Sequence, residues 1–500
     1  MPQTFEPAYM ERMMETRSHF KISLFFLLLL CGTLVSCEQD EAVVSVEGIT
    51  LSHDMLLMGV GETAKLTATL LPENATNRQV FWESADENVV TVSTEGVLEA
   101  CEAGQTTVTA TTHDGGFTAS CTVYVAQKLP EDDPADKEKR TVLVYIAGDN
   151  NLASFAKQDM EEMKEGMASV VSGSLHLLVY ADLGGDDAKL VEISSQDGVT
   201  MEKTIKEYGA RNSTGVAETL EVFGDVFSNP DYQSESYGLV YWSHCDGWIP
   251  YPVPSTRWIG QDTGDGDNRM NLSDFVQILQ YAPHFDFIMF DACFMQSVEV
   301  AYALRHYTDY YVASPTETPG PGAPYDRILP YMFIQGAAVE IARTYYEVYE
   351  EKYAAGEGLS NSNWTAGASI CAVKTDGLEA LASATRQLLP EEPVEVSSLQ
   401  EVFSYDRRSS LSKVGYYDYV EMMSLLLPED DFEVWKQAFD AVVAYWGTTP
   451  MNYSSSGGLF SMEGTCGVSH YIPASVTSEA AEAYRSTEWY EAAGLSRLGW

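Results

Sequence analysis

YGLVYWSHCDGW, residues 237–248, and FDFIMFDACFM, residues 285–295, are two apolar runs that each end abruptly in polar, reactive side chains. The first run ends at His244 and the second at Cys293, with Asp291 two residues before the cysteine. Buried runs of this kind predict strands of an α/β sheet, and residues just past the carboxyl ends of such strands lie in the ligand crevice. A histidine and a cysteine placed there can act as a nucleophile and its proton-transfer partner.

From residue 141 onward, apolar runs alternate with stretches of helical periodicity. The runs predict strands buried on both faces, and the alternation implies a mainly parallel sheet with helices on both sides. Asn151 or Ser154 is placed to cap the first helix. The predicted strands span 141–147, 175–180, 237–242, 285–290, 310–313 and 368–373, and the predicted helices span 153–167, 215–227, 272–280, 296–306 and 337–353.

Residues 43–126 follow a different pattern. Short segments rich in Val and Thr are separated by glycine turns, which predicts an all-β sandwich. Residues 127–140 are charged and contain two prolines, as expected of a linker. This linker offers the bonds after Lys137, Lys139 and Arg140 to a protease. The β-domain is expected to be a spacer, and binding of a glycan or a protein is the alternative.

The first 37 residues predict an export signal. Three basic residues precede the apolar run 22–30, which is too short to span a membrane. LVSC at 34–37 matches a bacterial lipobox, so Cys37 is predicted to become the acylated first residue of the mature chain. The signal then predicts an exported, membrane-anchored lipoprotein that faces the periplasm or the cell surface. An ordinary secretory signal with an incidental cysteine is the alternative.

The composition restricts the class of protein. A chain of 500 residues is too long for one ordinary domain, and its apolar content of 45% is typical of globular proteins. The formal net charge of -45 argues against nucleic acid and anionic lipid as partners. Eight cysteines, two of them in the leader, are too few for a disulfide scaffold. The sequence contains no zinc-binding spacing and no glycine-rich phosphate loop.

The two strand ends carry the groups that acyl transfer to a cysteine requires. A thiolate is the nucleophile, and a nearby histidine accepts and returns its proton, as Cys293 and His244 would. The oxyanion needs backbone N–H donors, and those of Cys293 and Cys245 lie at strand-end turns. The side chain of Asp291 points to the same side of its strand as Cys293. A carboxylate there suits a pocket for a basic substrate residue.

Residues 141–330 resemble the clostripain family of cysteine peptidases, and the similarity continues more weakly to the end of the chain. Residues 43–126 resemble bacterial Ig-like domains through VFWES (80–84) and AGQTTVTA (103–110). The resemblance to clostripain is carried by the His244 segment, by DAC at 291–293, and by VYIAGDNNL (144–152), VASPTETPG (312–320) and GVSHYIP (467–473).

The family resemblance implies a caspase-like α/β domain over residues 141–500. It implies that His244 and Cys293 form the catalytic dyad and that the enzyme cuts after Arg or Lys. Asp291 matches the base of the basic-specificity pocket, and Glu317 lies in the loop that would border this pocket.

Some family members use calcium, and some process themselves. The acidic run from Asp262 to Asn268 would supply oxygen ligands, although it lacks the spacing of an EF-hand. A flexible acidic loop is the alternative, so no cofactor is predicted and calcium is left open. Self-processing would use the basic residues of the linker.

One residue departs from the family pattern. Cys245 follows the histidine where relatives often have glycine, and a side chain restricts the conformations of the turn that would supply an oxyanion donor. A reversible disulfide between Cys245 and Cys293 is a further hypothesis, which requires Cα atoms within about 7 Å. Two free thiols are the alternative.

Taken together, these patterns predict a lipid-anchored, exported cysteine endopeptidase that acts on proteins or peptides containing Arg or Lys. A rival prediction is a catalytically silent surface protein, in which the Ig-like domain binds a partner and the peptidase fold is a scaffold. An amidase or a transpeptidase that uses the same dyad is a third alternative.

Overall fold

The computed structural model describes residues 43–126, 140–170, 175–185, 188–196, 198–249, 258–356, 367–399, 401–408 and 415–500. The chain divides into residues 1–44 and a second compact unit, Ser45–Trp500, which holds both folded regions. The predicted signal, Cys37 and linker residues 127–139 lie outside the described residues. Within the described ranges, no helix has the length and apolar character needed to cross a membrane.

The N-terminal region consists of short strands, as predicted. Strand β8 buries every second residue from Thr106 to Thr112, which is the alternation expected of a sheet with one face on the core. Its neighbour β9 contributes the buried Cys121 to the same core. The strands are β1 (Gly48–Leu51), β2 (Met55–Gly59), β3 (Thr63–Lys65), β4 (Ala68–Leu71), β5 (Val80–Ser84), β6 (Val90–Val92), β7 (Val97–Ala100), β8 (Gly104–Thr112) and β9 (Thr118–Ala126).

These strands pair into small, mainly antiparallel sheets. One sheet has the order β2-β9-β8-β5, a second has the order β3-β7-β6, and β1 pairs with β4. Apolar side chains from the two larger sheets form one core, which includes Val90, Leu98 and Val123. The predicted Ig-like all-β region is thereby confirmed.

The α/β region begins at residue 140. Its strands are β10 (Arg140–Ala147), β11 (Leu175–Asp182), β12 (Lys189–Gln196), β13 (Val199–Glu207), β14 (Ser236–Trp242), β15 (Ile259–Asp262), β16 (Asn268–Met270), β17 (Phe285–Asp291), β18 (Thr308–Ala313), β19 (Ser369–Lys374), β20 (Tyr416–Asp418), β21 (Val443–Thr448), β22 (Met451–Ser454), β23 (Gly458–Ser461) and β24 (Ser469–Tyr471). Its helices are α1 (Ala153–Met167), α2 (Val216–Phe227), α3 (Leu272–Leu279), α4 (Val298–Leu304), α5 (Tyr325–Met332), α6 (Ala338–Ala354), α7 (Leu378–Leu388), α8 (Tyr419–Leu426), α9 (Glu429–Val442), α10 (Glu479–Arg485) and α11 (Glu488–Ala492).

A mixed central sheet organises this region. Among the described residues it has nine strands in the order β13-β12-β11-β10-β14-β17-β18-β19-β21. The five strands from β11 to β18 run parallel, whereas both edges are antiparallel. The predicted caspase-like α/β fold is confirmed. The sequence pattern did not distinguish β19 as antiparallel, because it is as fully buried as its parallel neighbours.

The central strands are apolar along their whole length because both faces of the sheet are covered. Successive residues of β10 alternate between two cores: Val144 packs with helices α1, α5 and α6, and Tyr145 packs with α2 and α3 on the opposite face. All eight residues of β10 are buried. This explains why the runs show no polar alternation in the sequence.

The first residue of β10 corrects the predicted linker boundary. Arg140 is 3% exposed, and its guanidinium forms an ion pair with Asp286 at 2.7 Å. Its Nε also donates to the carbonyl of Met332. Arg140 therefore belongs to the buried sheet, and it is not an exposed cleavage site in the linker.

The register of the sheet brings the two reactive strand ends together. Strands β14 and β17 are adjacent and parallel, with Trp242 paired to Asp291. His244 and Cys293 each follow this pair by two residues, so they leave the sheet side by side. Strand β10 lies on the other side of β14, with Ile146 paired to Trp242, and delivers the segment before α1 to the same edge.

Candidate active site

A cavity of about 410 Å³ lies at the carboxyl ends of the central strands. All five residues that were predicted for the dyad, the oxyanion donors and the specificity pocket line it. They are His244, Cys245, Asp291, Cys293 and Glu317.

Cys293 is presented to the cavity by a sharp turn after β17. The next residue, Phe294, has a φ of +57°, a left-handed conformation that costs energy for a residue with a side chain. The Phe294 N–H donates to the carbonyl of Thr316, which holds this turn. The Cys293 Sγ accepts a hydrogen bond from the Thr318 N–H at 3.2 Å. Burial, followed by the Glu317 charge, raises the pKa of the Cys293 thiol to about 12, so the thiol is neutral near pH 7.

Asn151 orients His244. The histidine Nε2 lies 2.6 Å from the Asn151 Oδ1, and because an amide oxygen can only accept, Nε2 carries the hydrogen. The other nitrogen, Nδ1, is then free to accept a proton. Burial lowers the pKa of His244, so the resting pair is a neutral imidazole and a thiol.

Asn151 was assigned only a possible role as a helix cap, and this interpretation is wrong. Helix α1 begins without a side-chain cap, and the preceding turn is closed by Asn150, whose Oδ1 accepts from the Leu152 N–H. The sequence contained one indication that Asn151 lies beside the histidine. Asn151 follows the end of a buried central strand, as His244 and Cys293 do.

Cys245 is compatible with an oxyanion-binding turn. Among the described residues, Phe294 is the only non-glycine residue with a positive φ, so Cys245 does not adopt the conformation that favours glycine. The residues on either side of Cys245 form backbone hydrogen bonds with the segment around the start of β15. The Gly260 N–H donates to the carbonyl of His244, and the Asp246 N–H donates to the carbonyl of Trp258. Among the described residues, the Cys245 N–H takes no part in this pairing. Its side chain packs into the core.

Both cysteines are free thiols in this structure. Cys245 is buried in the core below the cavity, whereas the Cys293 Sγ faces the Thr318 N–H. The reversible disulfide therefore stays a hypothesis.

Asp291 is a buried anion at the wall of the cavity. It is 5% exposed, and its Oδ2 accepts from the Ala323 N–H at 2.9 Å and the Tyr325 hydroxyl at 3.1 Å. Burial raises the pKa of Asp291 to about 6, which leaves the carboxylate mainly ionised at pH 7.5. The charged group that acts on it most is Glu162, another acid. A buried carboxylate in this setting is suited to a cationic partner.

Glu317 lines the cavity, but both oxygens of its carboxylate already accept hydrogen bonds from the protein. Oε1 accepts from the Ser454 hydroxyl at 2.7 Å, and Oε2 accepts from the Ser455 N–H at 2.9 Å. Glu317 thus joins the loop after β18 to the turn after β22.

Arg408 is a cavity residue that the sequence did not indicate. Its guanidinium pairs with Asp246 at 2.8 Å and with Asp406 at 2.9 Å, and it lies 4.9 Å from the Phe294 ring centre. It therefore supports the two turns that carry His244 and Cys293. Nothing near it in the sequence marks this role, because Arg408 is far from both strands along the chain.

The acidic run at residues 262–268 is largely occupied by protein donors. Asp262 accepts from the backbone and side chain of Ser213, and Asp267 pairs with Arg269 at 2.6 Å. In the ranges that the structure covers, no group of three or more His, Cys, Asp or Glu residues is arranged to hold a metal ion. Calcium binding by this run stays a hypothesis.

Comparison with known proteins agrees with the fold. The family model described as "Clostripain family" matches residues 144–493, and that of the "Bacterial Ig-like domain (group 2)" matches residues 45–123. A secreted C11 cysteine protease from Bacteroides thetaiotaomicron, solved with an irreversible peptide inhibitor, is 44% identical. The match has a TM-score of 0.65 and covers 71% of this chain and 99% of that one.

Clostripain from Hathewaya histolytica is 28% identical over 236 residues, which are 41% of this chain and 44% of clostripain. An uncharacterized protein from Clostridium acetobutylicum is 37% identical over 109 residues, which cover 22% of this chain and 11% of that protein. The chain thus spans less than half the length of these curated relatives.

The fold and the paired cysteine and histidine define a caspase-like cysteine peptidase domain. The chain belongs to the clostripain family, and it carries a bacterial Ig-like domain before the family domain.

Proposed function

We propose that this protein is a cysteine endopeptidase that hydrolyses peptide bonds after Arg or Lys. One observation carries the proposal. The ionised, buried carboxylate of Asp291 lines the same cavity as His244 and Cys293 and has no cation among the charged groups acting on it. A basic side chain placed there would neutralise Asp291 and present its own carbonyl to Cys293.

The geometry supports a general-base route, in which the thiolate forms only during attack. The thiol of Cys293 passes its proton to the His244 Nδ1 as Sγ bonds to the carbonyl carbon. The carbonyl oxygen becomes an oxyanion that the N–H groups of Cys293 and Cys245 bind. His244 then gives the proton to the leaving amine. Water, deprotonated by the same imidazole, hydrolyses the thioester and releases the cysteine.

The neutral state of the dyad gives Asn151 and Thr318 defined roles in this route. Asn151 accepts from Nε2–H, which becomes more acidic in the imidazolium, so this hydrogen bond strengthens as the proton is transferred. The Thr318 N–H donates to Sγ and stabilises the developing thiolate. Both contacts offset the burial that keeps the resting thiol protonated.

We also propose export and lipid anchoring at Cys37. The support is the basic, apolar and lipobox order of residues 12–37. Expression in a bacterial host with a labelled fatty acid tests this. Label should enter the wild-type chain and be absent from Cys37→Ser, and equal labelling of both would contradict the anchor.

The catalytic proposal is tested with fluorogenic peptides that differ only in the residue before the reporter. Arg, Lys, Asp and Leu peptides are compared, with reductant and with or without calcium, using the chain from Glu38. The expected result is turnover of the Arg and Lys peptides, lost in Cys293→Ala. In Asp291→Asn, we expect a loss of kcat/KM of about a hundredfold or more for basic peptides, since a charge-assisted contact is removed. Absence of turnover for every peptide would instead favour the silent binding protein.

A further inference from the structure

Strand β9 of the Ig-like region contributes side chains to two different cores. Successive residues of a strand point to opposite faces of its sheet. Val123 and Val125 pack in the core of the Ig-like region. Tyr124 and Ala126, on the other face, pack against the core of the α/β region to which helices α2 and α3 contribute. Ala126 is 3% exposed, although it is the last described residue before the linker.

Strand β2 shows the same division. Leu56 and Met58 pack with the core of the Ig-like region, whereas Leu57 packs against the core of the α/β region. Because β2 and β9 are neighbours, with Leu57 paired to Tyr124, their outward side chains form one continuous surface. This surface is apolar, and the α/β region covers it.

Tyr281, which follows helix α3, supplies a polar contact to this surface. Its hydroxyl lies 3.1 Å from the carbonyl oxygen of Leu57 and 3.3 Å from the Glu62 Oε2, so its single hydrogen is shared between two acceptors of the Ig-like region. A Cβ added at Gly59 would lie 3.0 Å from a ring carbon of Tyr281. The absence of a side chain at Gly59 therefore lets the tyrosine ring approach the backbone of β2 closely.

Tyr124 lies beside both helices. Burial, followed by the charges of Glu218 on α2 and Asp274 on α3, raises the pKa of its hydroxyl. The outer face of an antiparallel sheet is commonly solvated, and Phe81, on the same outer face of this sheet, is 51% exposed. The contact with the α/β region is thus local to the end of the sheet that β2 and β9 form.

The two ends of the linker are held by contacts that involve no linker residue. Ala126 is buried against the core of the α/β region. Arg140, at the start of β10, forms its ion pair with Asp286 and donates to the carbonyl of Met332. A cut within residues 127–139 removes none of these contacts.

We propose that helices α2 and α3, together with Tyr281, form a docking surface for the Ig-like region, and that the two regions stay bound as a two-chain complex when the linker is cut. Relative motion is the default for two domains of one chain, unless their interface is large and apolar. Here the Ig-like region places Leu57, Tyr124 and Ala126 against the core of the α/β region itself. This inference does not depend on the proposed peptidase activity.

The docking determines what processing of the linker achieves. A cut after Lys137 or Lys139 would separate the chain into two pieces without releasing the α/β region from the Ig-like region. If Cys37 is lipid-anchored as proposed above, the cut enzyme stays at the membrane. This consequence rests on the proposed anchor, whereas the docking rests on the contacts described here.

The first test cuts the linker on purpose. The chain from Glu38 carries a recognition site for a sequence-specific protease in the linker and Cys293→Ala, which excludes cleavage by its own cysteine. After complete cutting, we expect the two fragments to elute together in gel filtration, at the volume of the uncut chain, and to form one complex in native mass spectrometry. Separate elution of folded fragments at micromolar concentration would overturn the proposal.

Tyr124→Ala and Phe81→Ala are a matched pair of variants that identify the surface. Both remove an aromatic ring from the outer face of the same sheet, and neither ring belongs to the core of the Ig-like region. In the cut protein, Tyr124→Ala should raise the dissociation constant of the complex about thirtyfold or more, as expected for an aromatic residue central to an interface. Phe81→Ala should change it less than about threefold. Equal effects of the two variants would contradict the proposed surface.

Tyr281→Phe tests the polar contact without removing the ring. The dissociation constant of the cut complex should rise about fivefold, because one buried hydrogen bond is lost. Tyr346→Phe on helix α6 is the control, since its hydroxyl donates to Glu350 at 2.7 Å and it packs on the opposite face of the central sheet. Native mass spectrometry after dilution measures both variants. An unchanged dissociation constant for a folded Tyr281→Phe protein would contradict the contact.

Discussion

At the scale of single residues, the candidate active site contains side chains that come from three adjacent strand ends. His244, Cys293 and Asp291 were predictable because each follows or ends an apolar run, and parallel strands bring such ends to one edge. The burial of Asp159 was not predictable, because it arises from the packing of helix α1 over the sheet. In the sequence, Asp159 cannot be distinguished from an exposed acidic residue of a helix, and only the fold shows that it is buried.

Replacement of Asn151 tests the orientation of the histidine. In Asn151→Ala, the His244 Nε2 loses its acceptor at 2.6 Å, so the ring can turn away and the wrong tautomer can form. We expect kcat/KM to fall about tenfold to a hundredfold, with Asn151→Asp retaining more activity than Asn151→Ala. Activity of Asn151→Ala equal to wild type in the basic-peptide assay would show that the contact has no role.

The protonation state of the dyad gives a pH prediction. Because the pKa of Cys293 is raised to about 12 and that of His244 is lowered, the thiolate fraction of the free enzyme should rise steadily with pH. Alkylation of Cys293 by iodoacetamide should accelerate about tenfold per pH unit between pH 6 and 9. The rate is measured by peptide mass in a Cys101→Ser background, since Cys101 is an exposed thiol. A plateau from pH 5 to 8 would instead indicate a preformed thiolate–imidazolium pair.

At the scale of elements, the turn after β14 contains Cys245, whose side chain packs in the core and whose backbone N–H is the proposed oxyanion donor. The structure accommodates the Cys245 side chain at 5% exposure, and Cys245 is not among the described residues with a positive φ. Sequence alone could not separate these roles, since it indicates the residue type but not the conformation.

Replacement of Cys245 by glycine separates packing from catalysis. Cys245→Gly removes a buried thiol and adds backbone freedom, so the free energy of unfolding should fall by about 1–2 kcal/mol. The backbone N–H is retained, and kcat/KM should stay within about threefold of wild type. Denaturant unfolding and peptide kinetics provide the two measurements. A tenfold rise in kcat/KM would show that the side chain obstructs the oxyanion donor.

The edges of the sheet show where element prediction failed. Strands β12 and β13 were not predicted. They form an antiparallel edge with exposed positions, whereas the predicted central strands are buried and apolar throughout. From residue 395 onward, only the stretch at 467–473 was interpreted, as a strand typical of the family, and β24 lies within it. The rest was not assigned, although it supplies β21 to the central sheet. These contacts join residues far apart in the sequence, so no local pattern indicates them.

At the scale of the whole molecule, three buried acids of the α/β domain make its stability depend on pH. Burial raises the pKa of Asp182 and Asp291 to about 6 and that of Glu299 to about 7. A native state that holds these protons more tightly than the unfolded chain is favoured at low pH. The stabilisation is fully present below the pKa values that these acids have in the unfolded chain. It is lost as the pH rises through their pKa values in the folded protein.

The contribution of these three acids to the free energy of unfolding should therefore decrease between pH 5 and pH 8, and Glu299 should account for part of this decrease. Its Oε1 accepts from the Tyr471 N–H at 2.9 Å, a bond that Gln can preserve. At pH 8, Glu299→Gln should be more stable than wild type by on the order of 3 kcal/mol, and the difference should shrink at pH 5. Denaturant unfolding at both pH values measures this. A variant less stable than wild type at pH 8 would contradict the account.

The identity of the nucleophile and its specificity form the central claim, and covalent labelling tests both at once. The chain from Glu38 is treated with peptidyl chloromethyl ketones that end in Arg or in Asp, and the modified residue is located by peptide mass. The account predicts one adduct, on Cys293, formed much faster with the Arg reagent and lost in Cys293→Ala. Labelling at another residue, or equal rates with the Arg and Asp reagents, would contradict it.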